Sequence, residues 1–250
     1  MKGCLILSVV FCLLVACMPL PSVDTPNETD DPERTDYLIA YYPFDGTTED
    51  ISGNAYDGVA VGEPSYIDDT VDGKGKALRL NGFKGQYINI PYAFLHGLEE
   101  YSVSFWIKDF TAGMVFSAIS SDYVRSDYPR LLITNSQKFR FYTGYDNYDS
   151  TAPFEYDCTP IMSEEWHHIA LVVSREAQTR SDVIKRLYID GDLINSSESY
   201  WSEGASVKIN IGGDRNGTYS QGLTAKLDNF RFYGCALKGK DVLYLYDNCL

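Results

Sequence analysis

Hydrophobic positions along the chain recur mainly with a period of two, in short runs broken by turn residues. Tyr101–Lys108 (YSVSFWIK) alternates cleanly, with Val103, Phe105 and Ile107 on one face and Ser102, Ser104, Trp106 and Lys108 on the other. Residues 166–173 (WHHIALVV) are nearly all apolar, as a strand in the middle of a sandwich must be. Residues 187–194 (LYIDGDLI) read as a hairpin bending at Asp190-Gly191. Residues 76–80 and 86–90, around Asn81-Gly82, suggest a second hairpin with a longer loop. Further strand-like runs lie at 114–119, 130–134, 138–142 and 207–211. No internal repeat accompanies them.

The last strand, residues 223–233 (LTAKLDNFRFY), organises the rest. Plain alternation puts Ala225, Leu227, Asn229, Arg231 and Tyr233 on one face and Lys226, Asp228, Phe230 and Phe232 on the other. An apolar strand this late needs a sheet already built by the earlier chain. Residues 38–45 (LIAYYPFD) offer a partner, so the two ends are expected to pair and close a β-sandwich. A short helix is expected at 236–246 (ALKGKDVLYLY). Short strands with turn signals between them predict an all-β sandwich or jelly roll.

The N-terminus follows another plan. Lys2 precedes an apolar run at residues 4–16, too short to span a bilayer comfortably and arranged like a secretory signal. Its end, Leu14-Val15-Ala16-Cys17, resembles the bacterial lipobox, in which the cysteine becomes the first mature residue and carries lipid. Residues 1–16 are then a signal peptide and Cys17 the lipidation site. Residues 18–36 hold four prolines and six acidic residues against one arginine, with no aromatic and no apolar period. Residues 17–36 thus read as a lipidated cysteine with an extended, self-repelling tether, and residues 37–250 as the folded domain.

Composition narrows the partners. The 250 residues carry a formal net charge of −14, which repels phosphate backbones and argues against nucleic acid. Acidic oxygens suit a hard cation or a neutral ligand such as a sugar. Export makes disulfides feasible. Apart from Cys17, the mature chain has Cys158, Cys235 and Cys249. Cys235 and Cys249 flank the expected helix and are the favoured pair, which would staple it to the last strand.

Five motifs, in order, carry a resemblance: Phe44-Asp45-Gly46 with Asp50-Ile51-Ser52-Gly53-Asn54; Ser104-Phe105-Trp106-Ile107-Lys108; Trp166-His167-His168-Ile169-Ala170; Leu187-Tyr188-Ile189-Asp190-Gly191; and Leu227-Asp228-Asn229-Phe230-Arg231-Phe232-Tyr233 before Ala236-Leu237. Residues 37–250 resemble the laminin-G-like jelly-roll family of the concanavalin A-like lectin and glucanase superfamily. The resemblance implies two curved antiparallel sheets, frequent structural calcium, and glycan or protein binding. Many bacterial relatives are lipoproteins, in keeping with Cys17.

Candidate chemistry follows from the polar positions. Asp45, Asp50, Asn54 and Asp57 crowd one turn, and Asp228 lies on the strand expected beside it. Ca²⁺ takes about 6–8 oxygens, mixing carboxylates and carbonyls, so Asp45, Asp50, Asn54 and Asp228 are the candidate ligands. Adjacent His167 and His168 point to opposite faces of a strand and cannot chelate one ion together. Retaining glucanases of the superfamily resemble Glu-x-Asp-x-x-Glu. Here Glu155-Tyr156-Asp157 is followed by Pro160 in place of the last carboxylate, and the stretch between Pro153 and Pro160 reads as a loop. Tyr123, Arg125, Tyr128, Tyr145, Tyr148 and Trp201 fall in polar loops, where aromatic faces can pack on sugar C–H faces and neighbouring polar groups can bond hydroxyls. Tyr156, Tyr200 and Tyr219 extend that set. The expected function is non-catalytic carbohydrate binding by a lipid-anchored protein of the bacterial envelope. The alternatives are a protein-binding adhesion module and a glycoside hydrolase.

Overall fold

β1 (Leu38–Tyr42) and β15 (Thr224–Tyr233) lie antiparallel, with Ala40 opposite Phe232 and Tyr42 opposite Phe230. The two ends of the domain therefore meet as the alternation predicts. The computed structural model describes residues 33–83, 85–120, 129–143, 154–175, 182–200, 206–213 and 222–248. All of these belong to the unit Asp31–Leu250.

One sheet, called sheet A, joins β13 (Asp192–Tyr200), β12 (Asp182–Ile189), β11 (His167–Ser174), β6 (Tyr101–Lys108), β15, β4 (Ala77–Asn81) and β3 (Ser65–Ile67) in that order, with β1 also on β15. Sheet B runs β10 (Phe154–Asp157), β9 (Lys138–Tyr142), β8 (Arg130–Ile133), β7 (Gly113–Ser120), β14 (Ser206–Ile211), β5 (Tyr87–Ile90) and β2 (Val59–Val61). The pairings are antiparallel, and the two sheets form a jelly-roll sandwich. Val103, Phe105 and Ile107 of sheet A and Leu131, Phe139, Phe141, Ile209 and Ile211 of sheet B fill one apolar core.

A C-terminal helix, α1 (Gly239–Asp247), covers the other face of sheet A. It encloses a smaller core of Ala170, Val172, Tyr188, Tyr233, Leu237, Val242 and Leu245. Trp106, on the outward face of β6, stacks on Tyr246 with centroids 5.7 Å apart. Both faces of β6 and β11 are thus buried, which explains the nearly continuous apolar run of β11.

Three expectations need correction. First, strict alternation fails along β15. Asn229 adopts φ +49° and the register with β6 shifts between Asp228 and Arg231, so a bulge lets Ala225, Leu227, Phe230 and Phe232 all face the core. Second, β4 and β5 are not a hairpin, because they belong to different sheets. The Gln86 side chain supports that crossing, accepting from Asn81 N at 2.8 Å and donating to Glu63 O at 3.0 Å. Third, residues 154–157 are an edge strand rather than a loop, and Tyr156 packs against the core. Cys235 is buried beside Arg34, and burial raises its thiol pKa; Cys249, the partner expected for it, lies outside the described residues.

The Asp190-Gly191 hairpin forms as expected, with φ +52° and +84°, the two positive values a type I′ turn requires. Phe230 is the ring on which the core converges. It stacks on Phe105 at 4.8 Å and meets Phe116 edge-on at 6.3 Å. Phe230→Ala is expected to cost about 3–5 kcal/mol in urea unfolding. A loss below about 1 kcal/mol would place this ring outside the core.

Candidate functional site

The six candidate glycan-binding residues all fall outside the described residues: Tyr123, Arg125 and Tyr128 between β7 and β8, Tyr145 and Tyr148 between β9 and β10, and Trp201 between β13 and β14. The flanking strands show where those connections attach. Ser120 pairs with Ser206, Ser117 with Arg130, Arg130 with Tyr142, and Phe141 with Phe154. The end of β7, the start of β8, the end of β9, the start of β10 and the start of β14 therefore share one end of sheet B.

Beside that end, the outward face of sheet B is polar. Asn89, Asn210, Ser117, Arg130 and Tyr142 lie opposite one another across five adjacent strands, and their sequence neighbours point into the core. At about 4.8 Å per strand this row spans about 19 Å. Asn89 Nδ2 donates to Asn210 Oδ1 at 2.9 Å, and Ser117 Oγ donates to Gly213 O at 2.9 Å. The Arg130 guanidinium sits 4.2 Å from the Tyr142 ring centroid. Sequence reasoning passed over this row because it followed the core-facing positions. The alternate residues of Lys138–Tyr142 (KFRFY) carried its signal.

Glu155 and Asp157 share the outward face of β10. Glu155 accepts from Lys138 Nζ at 3.0 Å and from Arg140 Nε at 2.6 Å. The hydrogen bond from Lys138, with help from Arg140, holds its carboxyl below the usual range. The Thr159 hydroxyl and amide do the same for Asp157. Glycoside hydrolysis needs one carboxyl raised in pKa to act as the acid. This pair is biased the other way.

The two histidines separate as expected. His168 is fully buried, its Nε2 lies 2.8 Å from Ser104 Oγ, and burial pushes its pKa down to about 3, so it is neutral. His167 points away, between Asp190 Oδ2 at 2.8 Å and Ser163 Oγ at 3.1 Å. Asp190 Oδ1 also accepts from His168 N at 2.8 Å, so the relay ties the start of β11 to the β12–β13 hairpin. Ser163 Oγ in turn accepts from Glu165 N at 3.2 Å, closing a local turn.

The four candidate metal ligands divide into two pairs. Asp50 is committed to its own turn: Oδ1 accepts from Tyr41 N at 2.8 Å and Ser52 N at 2.9 Å, and Oδ2 from Ser52 Oγ at 2.9 Å and Tyr56 N at 3.0 Å. Asn54 Nδ2 donates to the carbonyls of Leu38 at 3.1 Å and Ile39 at 2.9 Å. These two side chains fasten the turn to β1. Asp45 and Asp228 instead converge on one segment, where Asp45 Oδ1 accepts from Lys76 N at 2.8 Å and Asp228 Oδ2 from Val71 N at 3.1 Å. Gly75 makes room, since a Cβ there would lie 1.7 Å from Asp45 Oδ1. Asp228 is 3% exposed. Burial, with the nearby charges of Asp72 and Asp45, pushes its pKa up to about 7. Asp72 was missed in the sequence reading, which did not single out the segment around it. Among the described residues no three His, Cys, Asp or Glu side chains converge as a complete metal cage. An ion here would need backbone carbonyls as well, a mixture that suits calcium.

Comparisons with known proteins agree with this architecture. No curated protein matches the chain. Domain 4 of AbnA, a GH43 extracellular arabinanase from Geobacillus stearothermophilus solved with arabinotriose, is similar with a TM-score of 0.58 and 22% identity, over 84% of this chain and 98% of that one. The receptor binding domain of a botulinum neurotoxin C/D mosaic serotype gives 0.60 and 17%, over 86% of this chain and 52% of that one. The binding domain of Paraclostridial Mosquitocidal Protein 1 gives 0.63 and 18%, over 86% and 52%. The chain thus spans about half the length of those two toxin domains. A family model, Laminin_G_3, described as concanavalin A-like lectin/glucanases superfamily, matches residues 81–243, and the chain belongs to that family.

Proposed function

We propose that the protein is a non-catalytic carbohydrate-binding module, held at the bacterial envelope by lipid on Cys17, that grips glycan at one end of sheet B. The observation that carries this reading is the common anchorage of three connections. The connections that carry the six candidate residues each attach to sheet B at that single end, beside Arg130 and Tyr142. The arabinotriose bound to a similar domain supports the ligand class. The lowered carboxyls of Glu155 and Asp157 support binding without hydrolysis. The similar toxin domain named for receptor binding leaves room for a second reading, an adhesion or scaffold module whose loops hold another protein.

A glycan array on the full-length chain separates these readings. Binding to a glycan that falls at least tenfold in Tyr145→Ala or Tyr148→Ala is expected. Capture of protein alone would favour the second reading, and release of reducing sugar would favour a hydrolase. Cys17→Ser is expected to move the protein from the membrane to the soluble fraction, since acyl chains supply about 0.8 kcal/mol per buried CH₂. Retention of the variant at the membrane would contradict the anchor.

Calcium is assigned to the Asp45–Asp228 convergence, where a cation would offset the charge that Asp45, Asp72 and Asp228 impose on one another. Added calcium is expected to raise Tm relative to EDTA, and Asp228→Asn to abolish that rise. The pH dependence in EDTA has a definite sign. The folded pKa of Asp228, about 7, lies above the ordinary unfolded value. Its contribution is therefore fully present below the unfolded value and is lost as pH rises through about 7. Asp228→Asn should thus gain Tm relative to the parent protein as pH goes from 4 to 8, the mid-range being about 7. Identical curves with calcium and with EDTA would remove the metal assignment.

A further inference from the structure

A run of four aromatic rings leads from the core to the surface. Phe232 is fully buried, and Phe94 lies 5.2 Å from it between ring centroids. Tyr56 follows at 5.2 Å from Phe94, and Tyr92 at 5.0 Å from Tyr56. Tyr92 ends the run at the surface, 37% exposed. Its hydroxyl has no hydrogen-bond partner among the described residues. Tyr56 beneath it is held on both sides of its backbone. Its N donates to Asp50 Oδ2 at 3.0 Å, and its O accepts from the Tyr42 hydroxyl at 2.6 Å. Ala55, just before it, adopts φ +58°, a left-handed backbone that residues with a Cβ disfavour. Strain of this kind persists only where the surrounding structure over-determines it, and it gathers at binding sites. Asp57, just after, presents an exposed carboxylate whose Oδ1 accepts from Asp50 N at 2.9 Å.

These rings stand at the loop end of sheet B. Pro91 and Tyr92 follow β5 directly. Asn89 lies opposite Asn210 and Ile90 opposite Ile209, so the chain beyond Ile90 leaves the sheet where β14 begins. We propose, on the carbohydrate reading of that end, that Tyr92, set on Tyr56 beside Asp57, is a subsite for one ring of a neutral oligosaccharide whose other rings reach the loops. The phenol ring offers a flat apolar face to sugar C–H groups. Its hydroxyl both donates and accepts, and the Asp57 carboxylate accepts from sugar hydroxyls. Charge selects the ligand. Residues 45–58 hold Asp45, Glu49, Asp50 and Asp57 with no Lys or Arg, a field that repels an acidic sugar. Distance sets its length. From β5 across β14 and β7 to β8 is three strand spacings, about 14 Å, which is more than one sugar ring covers. A ligand that touches both Tyr92 and the connection into β8 is therefore a chain. Because the fold already fixes the rings, little side-chain freedom is lost on binding.

An array of linear arabinan, xylan, β-glucan and polygalacturonate oligosaccharides, from monosaccharide to hexasaccharide, tests the subsite on the full-length chain. Signal is expected to rise with chain length in a neutral series. Tyr92→Ala should weaken binding of the longer members about tenfold. Tyr92→Leu, which keeps an apolar side chain over Tyr56 and the parent Tm, should lose binding as the alanine does, and this separates lost contact from lost folding. Tyr92→Phe, which keeps the ring, should bind like the parent. Binding abolished in Tyr145→Ala but intact in both Tyr92→Ala and Tyr92→Leu would overturn the subsite and leave the loop site standing. Equal binding of monosaccharide and hexasaccharide would overturn the assignment to a chain, and preference for the polygalacturonate series would overturn the neutral class. An array with no glycan bound would overturn the carbohydrate reading itself, and the subsite with it.

Discussion

The fold depends on the pairing of β1 with β15. Those strands are the first and last of the sandwich, and Ala40, Tyr42, Phe230 and Phe232 bury fully where they meet. Closing a loop that long carries an entropic cost that grows only slowly with length. The cost is met by the ring cluster around Phe230, which joins β15 of sheet A to Phe116 of sheet B. Asp50 and Asn54 add hydrogen bonds that lash the following turn to β1. These two side chains therefore help hold the chain ends in register.

The same junction also arranges the polar side chains of β15. On one side of the Asn229 bulge, Asp228 is carried to the segment that also receives Asp45. On the other, Arg231 is laid over Tyr41 beneath α1. A regular strand would have sent Phe230 and Phe232 away from the core, so the bulge is the condition for burying four apolar residues of β15 while presenting charged ones outward. Asn tolerates the left-handed backbone this requires better than most residues do. Sheet B carries the polar row of Asn89, Asn210, Ser117, Arg130 and Tyr142 on its outward face.

Much of this was legible in the sequence. The alternation of β6, the apolar run of β11 and the Asp190-Gly191 turn each reflect a local rule that tertiary context did not override. The rest was hidden for physical reasons. A bulge adds one residue to a strand, and nothing local in LDNFRF distinguishes it from plain alternation. Asn81-Gly82 is as good a turn for a sheet-to-sheet crossing as for a hairpin, and Gln86 decides the matter through contacts distant in sequence. Phe154–Asp157 looked like a loop because prolines bracket it, yet both lie outside the four paired residues. The carboxylates of Asp45, Asp50 and Asn54's neighbour Asp57 are alike on paper. Only the fold shows which are consumed by backbone amides.

Amide hydrogen exchange tests the closure of the two ends most directly. If β1 and β15 form one cooperative unit, the amides of residues 40–42 and 230–232 will exchange together, at the slow rate set by global unfolding. Fast exchange across residues 40–42 while β6 and β11 remain protected would contradict it, showing a sandwich that stands without its first strand.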